Sequence, residues 1–205
     1  MKHKIADEMT SPRIIKSHFT GPLLPPQLWH KKPKILYILR NPKDLAVSMF
    51  HFQKIVLQVP EIRNQSFAEF LDEMISGELW YGPWWEHYLF FWKKRHESNV
   101  LLLRFEDTRR DLRGQVEKVS KFLGTDCSDE KLAAITDYCS FQNMKENNTT
   151  NPGFLFESKD RQNETFMRKG IAGEWKLHFT VAQNEVFTAH IKEKLYGTGL
   201  TFEND

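Results

Sequence analysis

The sequence predicts an α/β fold built on a parallel sheet. Two runs, KILYILR (34–40) and NVLLLRFED (99–107), are apolar on both faces, which is how a buried parallel strand reads. Helix-starting residues follow each of them, and capped amphipathic helices fill the chain between and after.

Residues 1–11 are polar and read as frayed, and the opening MKHKIADEMTSPR has no apolar core of the kind a leader peptide needs. PRIIKSHF (12–19) is a short apolar stretch ending in a Lys and a His. GPLLPPQLWHKKP (21–33) is Pro-rich and reads as irregular loop. After strand 34–40, Asn41 is a good N-cap, Pro42 suits the first helical position, and Asp44 lies where the helix dipole favours a negative charge. Leu45, Met49 and Phe52 continue the apolar face, so 34–54 reads as strand, tight turn, helix. Ser66 and Glu69 form a capping box before the stripe Phe67, Phe70, Leu71, Met74 and Ile75, which Gly77 ends. Residues 80–95 are a loop entering an aromatic helix. Helices are predicted over 111–124, with Gly124 as the stop, and over 128–139. Residues 140–173 read as a long polar loop of the sort that carries function. The last helix starts at Thr180, with Gln183 as capping partner, and runs to about Leu195. A parallel sheet needs more than two strands. The sequence therefore reads as one partial domain over 1–205 that lacks an N-terminal βα unit.

Composition narrows the function classes. With 205 residues, 40% hydrophobic and 27% charged, the chain suits a single globular domain and not a disordered one. Lys+Arg number 29 against 27 Asp+Glu, a net charge of +2. That disfavours nucleic acid as a partner and requires any anion site to be built locally. Aromatics reach 13%, with 16 Phe, which predicts a ring-rich core or pocket. Two cysteines, Cys127 and Cys139, are too few for a metal cluster and read as reduced thiols, so no metal is expected. Without a leader or a run long enough to span a bilayer, no membrane partner is expected and the cytoplasm is the default. The Asn-x-Ser/Thr patterns at Asn64, Asn147, Asn148 and Asn163 then carry little weight.

Three pieces carry chemistry. Arg40 ends a strand just before a helix N-terminus, where main-chain N–H groups and the dipole favour an anion, and Ser48 lies two turns along the same helix. Lys16 and His18 share one face of an extended segment, and the ammonium lowers the imidazole pKa as a neutral general base requires. Arg168-Lys169-Gly170 is a basic pair followed by a residue that lets backbone approach a ligand. Taken singly, the Arg40 site is as readily a surface arginine, and the other two pieces are more commonly solvated surface groups.

Together, and in this order, SPRIIKSHF (11–19), ILRNPKDLAVSMFHF (38–52), YGPWWEHYLFFW (81–92), LLLRFED (101–107), CSFQNMKENNTTN (139–151) and FMRKGIAGEWKLHFTVAQNE (166–185) resemble the cytosolic sulfotransferases over nearly the whole chain. That resemblance implies a P-loop-NTPase-like parallel sheet flanked by helices, here without its phosphate-loop βα unit. It implies sulfuryl transfer from 3′-phosphoadenylyl sulfate to a hydroxyl or amine. His18 matches the catalytic base and Lys16 its accompanying lysine. Arg40 and Ser48 match the grip on the nucleotide's 3′-phosphate, and Arg168, Lys169 and Gly170 match a second grip. Phe141 matches the ring that stacks near adenine, with Cys139 where Thr is frequent and Phe105 where Tyr is usual. Trp80, Tyr81, Trp84 and His87 match the lid over the acceptor pocket, which with Phe19 suits a small hydrophobic acceptor. Lys176, Thr180, Val181 and Glu185 match a homodimerisation motif. Such transfer passes through a loose in-line transition state, so Lys and Arg can supply the needed charge by position.

Nothing in the sequence matches the family's phosphate loop, Thr-Tyr-Pro-Lys-Ser-Gly-Thr-Thr-Trp, which cradles the 5′-phosphosulfate. One such donor is worth ~10²–10³ in rate. The sequence thus reads as a truncated isoform or fragment, and an impaired chain acting as a nucleotide-binding or dimerising partner is the alternative. A P-loop kinase relative is disfavoured because no Walker-type glycine loop is present.

Overall fold

The computed structural model describes residues 8–57, 59–151 and 166–202. A 3₁₀ turn at Gly21–Leu23 and helix α1 (Gln27–Lys31) precede strand β1 (Ile35–Leu39). Helices α2 (Pro42–Val56), α3 (Pro60–Asn64), α4 (Phe67–Ser76) and α5 (Trp84–Lys93) follow, then strand β2 (Val100–Arg104). Helices α6 (Phe105–Arg110), α7 (Leu112–Leu123), α8 (Asp129–Tyr138) and α9 (Phe141–Glu146) come next, then a 3₁₀ turn at Glu174–Leu177 and helix α10 (Val181–Leu195). β1 and β2 pair in parallel, with Ile35 opposite Val100 and Leu39 opposite Arg104. The fold is α/β with a parallel sheet, as the alternating strands and helices require.

The helix ends follow their capping chemistry. Asn41 accepts the Lys43 N–H at the start of α2, and the Ser66–Glu69 and Thr180–Gln183 capping boxes open α4 and α10. Gly77 and Gly124 close α4 and α7 at φ of 82° and 74°, a conformation that favours glycine. The core gathers one stripe from each main helix. α4 supplies Phe70, Leu71 and Met74, α5 supplies Trp84, Tyr88 and Phe91, and α10 supplies Phe187, Ile191 and Leu195, against Tyr37 and Leu39 of β1.

Four expectations need correction. β1 is not buried on both faces, because Tyr37 and Leu39 turn inward while Leu36 and Ile38 are 45% and 59% exposed. Among the described residues β1 has only β2 as neighbour. The second strand stops at Arg104, because the acids Glu106 and Asp107 suit a helix first turn and Phe105 opens α6. The Pro-rich stretch 21–33 is not irregular throughout, since Pro22 and Pro26 start short helical turns. The expected loop 140–173 contains α9, which Ser140 caps by accepting the Asn143 N–H; residues 152–165 of that loop lie outside the described residues.

Candidate active site

The parallel register decides where the site lies. Leu39 stands opposite Arg104, so Arg40 and Phe105 leave the sheet side by side at its carboxyl end, the edge where open α/β sheets bind ligands. The Arg40 guanidinium lies over the Phe105 ring, 4.3 Å from its centroid, and reaches the Ile171 carbonyl at 3.5 Å. Its Nε is buried with no hydrogen-bond partner among the described residues. Burial lowers the guanidinium pKa, and Asp44, Tyr88, Glu106 and Glu174 oppose that shift. The main chain here is braced, because the Tyr88 hydroxyl donates to the Arg40 carbonyl at 2.8 Å and the Asn41 N–H donates to Glu106 Oε1 at 2.8 Å.

The N-terminus of α2 is not itself an open anion site, contrary to the sequence reading. Asn41, Lys43 and Asp44 are buried, the Asn41 side chain accepts the Lys43 N–H, and Asp44 turns its carboxylate away from the helix. Asp44 instead accepts the Gly173 N–H at 2.6 Å and the Trp175 N–H at 2.9 Å, and the Lys43 ammonium lies 4.4 Å over the Trp175 ring. One face of α2 thereby meets the segment 166–178. His51 packs edge-on to His178 at 5.5 Å and Phe52 meets Phe166 at 6.0 Å. Ser48, four residues beyond Asp44 and four before Phe52, shares that face and is half-buried.

The second basic group is assembled around a carboxylate that the sequence reading missed. Glu174, 2% exposed, accepts a bidentate pair from Arg168 at 2.9 and 2.7 Å and lies 3.3 Å from Lys169 and 3.4 Å from His178. Burial alone would raise the Glu174 pKa, but Arg168, Lys169 and His178 outweigh it and hold the carboxyl below its ordinary range. Arg168 is thus pre-positioned, while the Lys169 ammonium stays half-exposed beside it. Gly170 has φ of 61°, and a Cβ there would overlap the Phe141 ring, so the two stretches are in contact. Arg109, not singled out in the sequence, lies 5.5 Å from the same ring. Cys139, half-buried, ends α8 just before Phe141.

The segment expected to carry the base lies against the loop expected to form the lid. The His18 ring is 5.5 Å from the Tyr81 ring, and burial together with Lys16, itself exposed, lowers the imidazole pKa. Phe19, Trp80 and Tyr81 are 59%, 62% and 36% exposed, and Trp80 packs on Tyr81 at 5.4 Å. Trp84 differs from the expected lid position. It is buried against Trp85, Tyr88 and His190, because position 84 starts the inward stripe of α5. His87, one turn on, is half-buried and accepts or donates at Nδ1 with the Tyr37 hydroxyl, 2.7 Å away. Lys176, Thr180, Val181 and Glu185 are all exposed, on the last 3₁₀ turn and the first turns of α10.

Tyr37, Asp44, His51 and Glu174 also belong to this constellation. Tyr37 shares the inward parity of Leu39 along β1, a readable hint. Glu174 and His51 carry no local pattern that marks them.

The chain matches the Sulfotransferase domain family model over residues 1–199. It is 42% identical to bovine (Bos taurus) Sulfotransferase 1E1 over 200 residues, covering 97% of this chain and 67% of that protein. It is 41% identical to the human (Homo sapiens) Sulfotransferase 1E1 over 203 residues, covering 98% and 68%. Among solved structures, mouse sulfotransferase SULT7A1 complexed with PAP superposes with a TM-score of 0.83 at 31% identity, covering 96% of this chain and 70% of that one. Retinol dehydratase in complex with androsterone and PAP gives 0.88 at 28% identity, covering 98% and 59%. The chain spans about two thirds of the length of these curated relatives. With its parallel strand pair, its Arg40 and Arg168 clusters and these matches together, the chain belongs to the sulfotransferase family.

Proposed function

We propose that this chain is one sulfotransferase domain that moves a sulfuryl group from 3′-phosphoadenylyl sulfate to a hydroxyl or amine of a small hydrophobic acceptor. The carrying observation is the Arg40 guanidinium, half-buried at the carboxyl end of β1 with an Nε that no described residue satisfies. A buried donor without a partner is costly, and an anionic oxygen would satisfy it. The site fits the donor nucleotide in two further respects. Gly170 leaves backbone bare beside the Phe141 ring, and two cationic groups converge at Arg168 and Lys169.

When bound, the donor supplies the activated sulfuryl group. The protein's own residues grip, orient and deprotonate. Arg40, Ser48, Arg168, Lys169 and Gly170 hold the nucleotide's 3′-phosphate, and Phe141 with Cys139 and Phe105 borders its base. His18, kept neutral by burial and by Lys16, accepts the acceptor's proton at an imidazole nitrogen. Phe19, Tyr81 and Trp80 offer ring faces to an apolar acceptor, with His87 beneath and Trp84 supporting them from the core. Structures of relatives with PAP, and with androsterone, accord with this reading. Lys176, Thr180, Val181 and Glu185 form the contact of a homodimer, supported by an apolar strip in which Leu177, Val181 and Val186 are 73%, 76% and 59% exposed.

The test pairs two variants, with labelled sulfate transfer to a simple phenol and calorimetric binding of adenosine 3′,5′-bisphosphate. His18→Ala should lose ~10²–10⁴ in turnover and keep its nucleotide affinity. Arg40→Ala should bind the nucleotide roughly 10–100-fold more weakly. Unchanged turnover in the first removes His18 from the mechanism, and unchanged affinity in the second removes Arg40 from the nucleotide site. A second reading is a chain that binds nucleotide or a partner subunit without turnover. Tight nucleotide binding with no sulfate transfer would select it.

A further inference from the structure

Arg40 stands one residue past the last paired position of the sheet, Leu39 opposite Arg104. The ladder no longer fixes its main chain there, yet a guanidinium that grips an anion must be aimed closely. Side chains from two other elements take over. The Tyr88 hydroxyl, on α5, accepts the Arg40 N–H at 3.4 Å and donates to the Arg40 carbonyl at 2.8 Å. Glu106, on α6, accepts the Asn41 N–H at Oε1, 2.8 Å away. The Arg40 carbonyl and the Asn41 N–H belong to one peptide unit, which is therefore held at both ends. That unit is planar, so holding both of its polar groups fixes its orientation about the Arg40 Cα. The Arg40 N–H lies in the preceding unit, so the one phenol reaches both peptides that flank the Cα.

Both holding groups are themselves anchored. Tyr88 is 5% exposed, with its ring 5.5 Å from that of Trp84 and 5.9 Å from that of Phe202. Glu106 follows Phe105 in the first turn of α6, and Phe105 is the ring under the Arg40 guanidinium. We propose that Tyr88 and Glu106 are positioning residues for the nucleotide site: they clamp the peptide unit between Arg40 and Asn41 and so hold the Arg40 guanidinium over Phe105, where the nucleotide's phosphate meets it. The proposal rests on the reading of Arg40 as a nucleotide contact. Tyr88 and Glu106 act on the ligand only through Arg40.

The experiment is a double-mutant cycle on the 205-residue chain, read by calorimetric binding of adenosine 3′,5′-bisphosphate. Tyr88→Phe and Glu106→Ala are each measured with Arg40 present and again with Arg40→Ala. Phenylalanine keeps the ring against Trp84 and Phe202 and removes only the hydroxyl. With Arg40 present, each variant should weaken binding by roughly 3–10-fold, the range one hydrogen bond covers. With Arg40→Ala, each should change binding by less than roughly twofold, because the group they act through is gone. A merely structural role costs the same in both backgrounds. Full affinity in both variants, or a loss that persists undiminished beside Arg40→Ala, overturns the proposal. If Tyr88→Phe loses the near-UV signature of folded protein, Glu106→Ala decides alone by the same cycle. A parent chain that binds no nucleotide sinks the donor reading instead. The proton–nitrogen resonance of the buried Arg40 Nε, identified by its loss in Arg40→Ala, then judges the clamp. It should shift in both variants as the guanidinium moves over the Phe105 ring, and a resonance that stays in place overturns the proposal.

Discussion

Asp44 is a carboxylate with 1% exposure, and both of its oxygens accept main-chain N–H groups from a segment 129 and 131 residues away. Leaving those two donors unsatisfied in the core costs about 1–3 kcal/mol each. Asp44→Ala should therefore lower stability by roughly 2–6 kcal/mol, read as a lower urea midpoint at unchanged m-value. It should also weaken nucleotide binding, because Gly173 and Trp175 carry the approach to Gly170. His51 makes a pH prediction. Burial, with help from Arg168, His178 and Lys54 and against Glu174, pushes its imidazole down from 6.5 to about 4. Between those values the unfolded chain binds the extra proton and the folded chain does not. The stability from neutral His51 is complete above pH 6.5 and is lost as pH falls from about 6.5 to about 4. Thermal midpoints taken across that window should fall toward acid, and His51→Phe should flatten part of the slope. His18, His87 and His190, also lowered, act in the same direction.

At the scale of elements, the site is a meeting of one strand end, one helix face and one turn. Gly170 is where the turn comes nearest to α9. Ala there carries a positive-φ penalty of about 1 kcal/mol and drives its Cβ into the Phe141 ring. Gly170→Ala should displace Phe141 and weaken binding of adenosine 3′,5′-bisphosphate, a loss that calorimetry would detect, with the thermal midpoint falling only by a few degrees. Elements whose ends are set by local chemistry behave otherwise. Ser66→Ala removes a capping box and should cost about 1 kcal/mol, with little effect on the nucleotide because α4 meets the site segment only at its rim, through Phe67 against His178 and Phe179.

Across the whole molecule, two of the apolar surfaces left open among the described residues bear on assembly. One is the outer face of β1, with Leu36 and Ile38. The other is the strip of Leu177, Val181 and Val186 beside the proposed dimer contact. A charge at the centre of a small apolar contact abolishes it, so Val181→Glu should give a monomer by sedimentation at concentrations where the parent chain is dimeric, with the thermal midpoint of the monomer unchanged. A parent chain that sediments as a monomer throughout would remove the dimer. Among the described residues no helix is long and apolar enough to cross a membrane.

Much of this was legible in the residues. Caps at Asn41, Ser66 and Thr180, glycine stops at 77 and 124, and the apolar stripes of α4 and α10 are decided by nearest neighbours along the chain. Local propensity and period-3.6 patterning therefore sufficed for them. Arg40, His18 and Arg168-Lys169-Gly170 were also visible as types in an order. What only the tertiary structure decided is who meets whom. The parallel register sets Arg40 over Phe105, Asp44 reaches across the chain to Gly173 and Trp175, and Glu174 gathers two cations and a histidine. The inward turn of Trp84 and the outward turn of Leu36 and Ile38 were decided there as well. Capping and periodicity are short-range, but burial and charge pairing depend on which distant segment folds against a face, and no window of sequence contains that partner.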